Sequence, residues 1–210
     1  MSELNNIALK ILSNGKGILA TDESTGTMTK RLASVNIESS EANRLLFRET
    51  LFSSSSVKDC IGGVILYDET IRQTTPTGVK IPELIISNGS VPGIKVDTGA
   101  KLLAGSKNEK ITEGLDGLRD RLTEYYNLGA RFTKWRGVYS ISNDKPSKLC
   151  IAANAHALGR YAALVQQCGM VPIIEPEVLM DGDHSAQTCL EKTSEVILKC
   201  FEEMDLHNVD

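Results

Sequence analysis

The 210-residue chain has no Cys-x-x-Cys pair. Its five cysteines, Cys60, Cys150, Cys168, Cys189 and Cys200, are odd in number and irregularly spaced. That argues against a zinc site or a disulfide framework and for reduced thiols in a cytoplasmic protein. There is no basic excess either: 23 Lys and Arg stand against 27 Asp and Glu, for a net charge of −4. A nucleic-acid partner is therefore not expected. Anionic small molecules stay open, because local fields govern them. No apolar run approaches the ~18 residues of a membrane span, and the opening MSELNNIALKILSNG lacks a basic stretch followed by a long apolar one. No membrane partner is expected. Neither GxxxxGK[ST] nor GxGxxG occurs, so a P-loop and a dinucleotide fingerprint are both missing. No linker, repeat or low-complexity tract divides the chain; SSSS (53–56) reads as a loop, and residues 1–210 read as one domain.

What is present is a strand-then-helix pattern. Apolar runs of strand length are GILATD (17–22), GGVILYD (62–68), GIKVD (93–97), ARFTKW (130–135) and MVPIIE (170–175). Each is nearly continuous in apolar residues, as parallel strands covered on both faces are. Segments of helical period lie at 3–13, 39–53, 114–129, 146–169 and 185–204. In 39–53 the period places Leu45, Leu46, Thr50 and Phe52 toward one side. Ser147 reads as an N-cap, while Gly129 and Gly169 read as helix stops. One βα unit per roughly 30–45 residues fits an α/β fold, either a (β/α)₈ barrel or a doubly wound sheet.

Polar residues gather where the strands end. After GILAT come Asp22, Glu23, Ser24, Thr25, Gly26 and Thr27; GIKVD carries Lys95 and Asp97. KWR places Lys134 and Arg136 two apart, hence on one face of a strand, and EPE does the same with Glu175 and Glu177. Strand C-termini are where both architectures build their sites. The two pairs are expected to face each other at one rim, either as a structural ladder or as a functional cluster. TDESTGTMTKR (21–31) reads as a phosphate cradle or as a plain helix N-cap: Ser24, Thr25 and Thr27 bring hydroxyls and Arg31 brings charge. Lys95 supplies a second cation for the same anion. DGDH (181–184) has no metal-ligand spacing and reads as a loop in which Asp183 caps the next helix. His156 and His207 read as structural or surface residues, and Trp135 as packing against helices.

A lysine, an aspartate, two glutamates and phosphate-binding groups, with no metal ligands, point to carbonyl chemistry on a phosphorylated sugar. An amine condenses with a ketone to an iminium, which then accepts electrons as a C–C bond breaks. The amine must be neutral to attack. A neighbouring cation works strongly on it: two charges ~4 Å apart at an effective dielectric near ~20 interact by about 4 kcal/mol. Carboxylates move the protons. No cofactor and no metal is called for.

At these residues the chain resembles a known family. GKGILATDESTGT, CIGGVILYDET, GIKVD, KWR and PIIEPEVLMDGDH are similar, in order and spacing, to the class I fructose-bisphosphate aldolase family, over essentially the whole chain. The resemblance implies a (β/α)₈ TIM barrel, of which this chain covers an N-terminal helix and about five βα units. It implies a metal-independent lyase that cleaves fructose 1,6-bisphosphate to dihydroxyacetone phosphate and glyceraldehyde 3-phosphate through a lysine Schiff base, usually as a homotetramer. By the same resemblance Glu175 is the acid/base of imine formation, and Asp22 acts at the C4 hydroxyl. Lys134 lies between them and tunes the amine, Glu177 orders the neighbouring charges, and Arg136 contacts substrate. Ser24, Thr27, Arg31 and Lys95 line the pocket for the phosphate distal to the ketone. The family's imine-forming lysine ends a sixth strand, in a motif resembling LLKPNM, and no residue here matches it. The expectation is that the 210 residues belong to a longer product, since five strands cannot close a barrel and would leave its edges unpaired. The competing expectations are a transaldolase-like enzyme with Lys134 as the imine-forming residue, and a non-catalytic protein that binds phosphosugars or protein partners.

Overall fold

The computed structural model describes residues 2–210. In chain order, α1 (Glu3–Leu12) and a 3-10 turn lead into β1 (Gly17–Ala20). α2 (Thr25–Ala33), α3 (Glu41–Phe52) and the single turn α4 (Val57–Cys60) precede β2 (Ile61–Leu66). α5 (Asp68–Ile71) and α6 (Ile81–Ser87) precede β3 (Val91–Lys95). β4 (Gly99–Leu102) and β5 (Lys110–Glu113) form an antiparallel hairpin. α7 (Leu118–Asn127), β6 (Phe132–Tyr139), α8 (Lys148–Gln167), β7 (Val171–Val178) and α9 (Ala186–Leu206) complete the chain.

The main sheet is parallel, with the order β1-β2-β3-β6-β7. With the hairpin set aside, that is simply chain order. Strands laid down one after another with helices between them are the topology of a partial (β/α)₈ barrel. Among the described residues, no helix is long and apolar enough to cross a membrane.

The chain divides into two compact units. The first holds the residues up to Lys95, with 123–133 and 169–171. Its β1, β2 and β3 pair in parallel, with Leu19 opposite Val64 and Ile65 opposite Gly93. Gly62 through Leu66 are all buried, as the continuous apolar run requires. Ser2 caps α1, its hydroxyl accepting from the Asn5 amide, and Ile11 near the helix end is buried. A Cβ at Gly62 would fall 1.7 Å from the Ile11 carbonyl oxygen, so only glycine lets β2 pass under α1. Met28, Phe52, Ile81, Ile85 and Phe132 fill the interior, each 0–1% exposed.

Of the side of α3 that holds Leu45, Leu46, Thr50 and Phe52, Phe52 is buried, but the packed stripe is otherwise not the apolar one. Arg44, Arg48 and Phe52 point in, while Leu46 is 61% exposed. The reason is electrostatic. The two guanidinium groups meet carboxylates and backbone carbonyls on the far side of the helix, so the charged stripe is the packed one.

The second unit comprises 96–122, 134–168 and 172–210. Its hairpin was not foreseen, because its four-residue strands mix polar and apolar side chains without a clear period. α8 fastens it: Asn154 donates to the Lys110 carbonyl (2.8 Å) and accepts from the Thr112 amide (3.2 Å). Thr112 in turn donates its hydroxyl to the Arg136 carbonyl (2.6 Å). Trp135 is fully buried against Tyr161 of α8, with ring centroids 5.4 Å apart, as its strand position led one to expect. Ser147 caps α8 through the Cys150 amide.

Candidate active site

In the first unit the chain leaves β1 through Thr21, Asp22 and Glu23 and enters α2 at Ser24. Thr21 extends the ladder by one residue: its amide (3.0 Å) and hydroxyl (2.8 Å) both donate to the Ile65 carbonyl. Arg48, wholly buried, clamps the turn from Thr21 to Glu23. Its guanidinium donates to the carbonyls of Thr21 (3.1 Å) and Glu23 (2.6 Å) and to the Thr70 hydroxyl (2.8 Å). Burial pulls this guanidinium below its ordinary pKa, and the attraction of Glu23 and Glu69 works the other way. Arg44 forks onto Glu69; that hydrogen bond, with the charges of Arg44 and Arg48, holds the Glu69 carboxyl below the usual carboxylate range. Neither arginine was singled out from the sequence. Their i, i+4 spacing beside Phe52 is the one signal that could have found them.

Asp22 is buried at 8% exposure. Its carbonyl accepts from the Lys95 ammonium (2.6 Å), which stands 5.1 Å from the centroid of the Tyr67 ring. Ser24 is the N-cap of α2: its oxygen accepts from the Thr27 amide at 3.4 Å and lies 3.2 Å from the Thr27 hydroxyl. Arg31 is ion-paired with Glu23. Two hydroxyls, the positive end of α2 and the Lys95 charge on the Asp22 carbonyl thus meet at one turn, an arrangement suited to an anion. A Cβ at Gly26 would meet nothing within 4 Å, so the fold leaves that side of the turn open.

In the second unit Lys134 and Arg136 project from one face of β6, while Trp135 between them turns into the core. Lys134 Nζ lies 3.1 Å from Glu175 Oε2, and Arg136 Nη1 lies 2.9 Å from Glu177 Oε2. The structure therefore brings both strand pairs together, cation to carboxylate. Lys134 is nearly buried, whereas the side chains of Arg136 and Glu177 are 48% and 39% exposed. β6 is held by the Thr112 hydroxyl on the Arg136 carbonyl. β7 is held by the Tyr161 hydroxyl, which donates to the Ile173 carbonyl two residues before Glu175 (3.2 Å). Neither of these anchors was named from the sequence, since each depends on a helix or hairpin far away along the chain.

Asp181 and Asp183 of the DGDH loop are exposed. The cap of α9 is Ser185, which accepts from the Thr188 amide, and not Asp183. Ser185 sits one residue before the first helical position, where a short hydroxyl side chain reaches the third amide.

Residues 3–210 match the family model described as fructose-bisphosphate aldolase class-I. A probable fructose-bisphosphate aldolase class 1 of Xanthomonas campestris is 52% identical over 209 residues, which is 100% of this chain and 63% of that protein. A non-muscle type fructose-bisphosphate aldolase of Lethenteron camtschaticum is 51% identical over 208 residues, 99% of this chain and 57% of its own length. Among solved structures, fructose-bisphosphate aldolase from Plasmodium falciparum, in complex with TRAP and a small-molecule inhibitor, superposes with a TM-score of 0.94 at 43% identity. That superposition covers 96% of this chain and 59% of the other. The chain thus spans less than two thirds of the length of the relatives it matches. With the parallel order of successive βα units and the motifs from GKGILATDESTGT to PIIEPEVLMDGDH, this match establishes that the chain belongs to the class I fructose-bisphosphate aldolase family.

Proposed function

We propose that these residues serve a metal-independent aldolase that cleaves fructose 1,6-bisphosphate to dihydroxyacetone phosphate and glyceraldehyde 3-phosphate through a lysine imine. The observation that carries the reading is the Lys134–Glu175 contact at 3.1 Å on two strands of a chain in this family. An ammonium paired with a carboxylate has no free lone pair, so Lys134 is a poor nucleophile. It is well suited to keep a positive charge beside another amine. Glu175 carries protons as the carbinolamine forms and loses water. Asp22 takes the proton of the C4 hydroxyl as the C–C bond breaks. Glu177 and Arg136, paired at 2.9 Å, order the charges beside them, and Arg136 reaches substrate.

The distal phosphate is received at the turn into α2 by Ser24, Thr27, Arg31 and Lys95. Support comes from the hydroxyls gathered at the helix N-terminus and from Lys95 on the neighbouring Asp22 carbonyl. The imine-forming lysine is not among residues 1–210 on this reading. The working assembly is a homotetramer in the cytoplasm, a setting in keeping with five free thiols.

Borohydride reduction in the presence of dihydroxyacetone phosphate, followed by peptide mapping, tests the proposal. Residues 1–210 joined to the remaining length of the family should carry the adduct on a lysine outside this segment, with Lys134 unmodified. An adduct on Lys134 would overturn it.

A further inference from the structure

We propose that His156, Glu203 and His207 form a binding site for one divalent ion of the zinc type, which ties α8 to α9. The site uses none of the strand-end residues and is separate from the aldolase reading. Among the described residues, this is the group of His, Cys, Asp and Glu side chains whose donor atoms converge: one from each residue, all within 4.8 Å of one another.

Two helical spacings and one close approach build it. Glu203 and His207 are four apart on α9 and its cap, so they share a face. On α8, Gly159 follows His156 by one turn. A Cβ at Gly159 would lie 2.9 Å from the Glu203 carbonyl oxygen and 3.0 Å from His207 Nδ1. The missing side chain is what lets α9 come against α8 at this point. His156 Nδ1 then stands 3.0 Å from Glu203 Oε2, and the two imidazole centroids are 5.1 Å apart.

The donor chemistry suits a borderline divalent ion. Two imidazoles and a carboxylate are a common set of three protein ligands for zinc, with a fourth position open to water. Zinc–ligand bonds of about 2.0–2.2 Å require donors about 3.3–3.6 Å apart in a tetrahedron, so small side-chain rotations close the site. His207 Nδ1 lies 2.7 Å from the Glu203 carbonyl, which can only accept, so Nδ1 donates there and Nε2 is the nitrogen left for a ligand bond. A backbone carbonyl that fixes a histidine tautomer is the usual outer support of a metal ligand. Lys199 sits 3.7 Å from Glu203 Oε1, so one carboxylate oxygen faces an ammonium and the other faces His156. Access is open: the His156 side chain is 54% exposed and borders a cavity of about 490 Å³ lined also by Thr112, Glu113, Asp116 and Arg160.

Titration of the chain with zinc, and with cobalt(II) as a spectroscopic probe, decides the matter. Alkylation before titration blocks the exposed Cys60 and the half-buried Cys168 and Cys189, and Cys150 and Cys200 are buried away from an added ion. The expected result is one ion per chain, visible cobalt d–d absorption and a higher melting midpoint with zinc. His156→Ala and His207→Ala should each weaken binding by more than about 100-fold, beyond the roughly 10–100-fold that removal of an outer support alone brings. Each should also remove the thermal shift. Should His207→Ala fail to fold, His156→Ala, which alters an exposed ring, decides alone. No binding, or binding and thermal shift unchanged in His156→Ala, would overturn the proposal.

Discussion

Two regions of this molecule carry paired charges, and they use them in opposite ways. On α3, Arg44 and Arg48 turn inward, and Arg48 is fully buried with three hydrogen-bonded partners. On β6 and β7, the Arg136–Glu177 pair is close to half exposed at both ends. A buried guanidinium with its donors satisfied is a structural device. It takes up carbonyls that the turn after β1 would otherwise leave unpaired beneath Asp22 and Glu23. An exposed pair at a strand end adds little to stability, and its geometry is free to serve a ligand. Burial and hydrogen-bond satisfaction, more than charge, separate the Arg48 clamp from the Arg136–Glu177 pair, while Asp22 and Lys134 stay largely buried.

Breaking the inner device should give the larger effect. Arg48→Leu leaves the Thr21 and Glu23 carbonyls and the Thr70 hydroxyl without a donor and removes the charge facing Glu23 and Glu69. The expected loss is about 3–5 kcal/mol of folding stability, read from urea denaturation. A loss below about 1 kcal/mol, the range of exposed pairs, would erase the contrast.

Glu69 sharpens it with pH. Its carboxyl lies below the usual range, chiefly through the Arg44 hydrogen bond. A carboxyl depressed in the folded state contributes stability in full above its unfolded pKa. That contribution fades as pH falls through the folded value. Glu69→Gln should therefore be less stable near neutrality by about 1.5–3 kcal/mol, the range for hydrogen bonds to charged groups. Its stability curve should approach that of the unaltered chain on acidification. Parallel curves down to the acid transition would show that Glu69 is not the titrating group.

Period and length made part of the fold legible in the sequence. The apolar runs gave the strands, and a two-residue period put Lys134 with Arg136 and Glu175 with Glu177, pairs that β6 and β7 bring within 3.1 Å and 2.9 Å. The inner face of α3 was not legible because a charged residue every fourth position normally marks the solvent side, whereas its partners here arrive from Thr21, Glu23 and Glu69. The hairpin, α5 and α6 are each seven residues or fewer per element, too short for a period to show. His156 looked solitary because Glu203, which meets it in space, lies 47 residues away along the chain. Thr112 and Asn154 likewise act across 42 residues. Contacts of that kind have no local pattern to announce them.

The outer ladder is the finest test of the contrast. A double-mutant cycle on Arg136→Ala and Glu177→Ala should give a coupling of about 0.2–1 kcal/mol, since both side chains are near half exposed and the pair is screened by solvent. Raising the salt concentration should shrink it further, because at about 1 M the Debye length falls to about 3 Å, the scale of the contact itself. The Arg44–Glu69 cycle under the same salt should barely move, its side chains being 11% and 21% exposed. A salt-insensitive Arg136–Glu177 coupling as large as the inner one would mean that the strand-end charges are part of the scaffold, and their assignment to substrate would lose its physical basis.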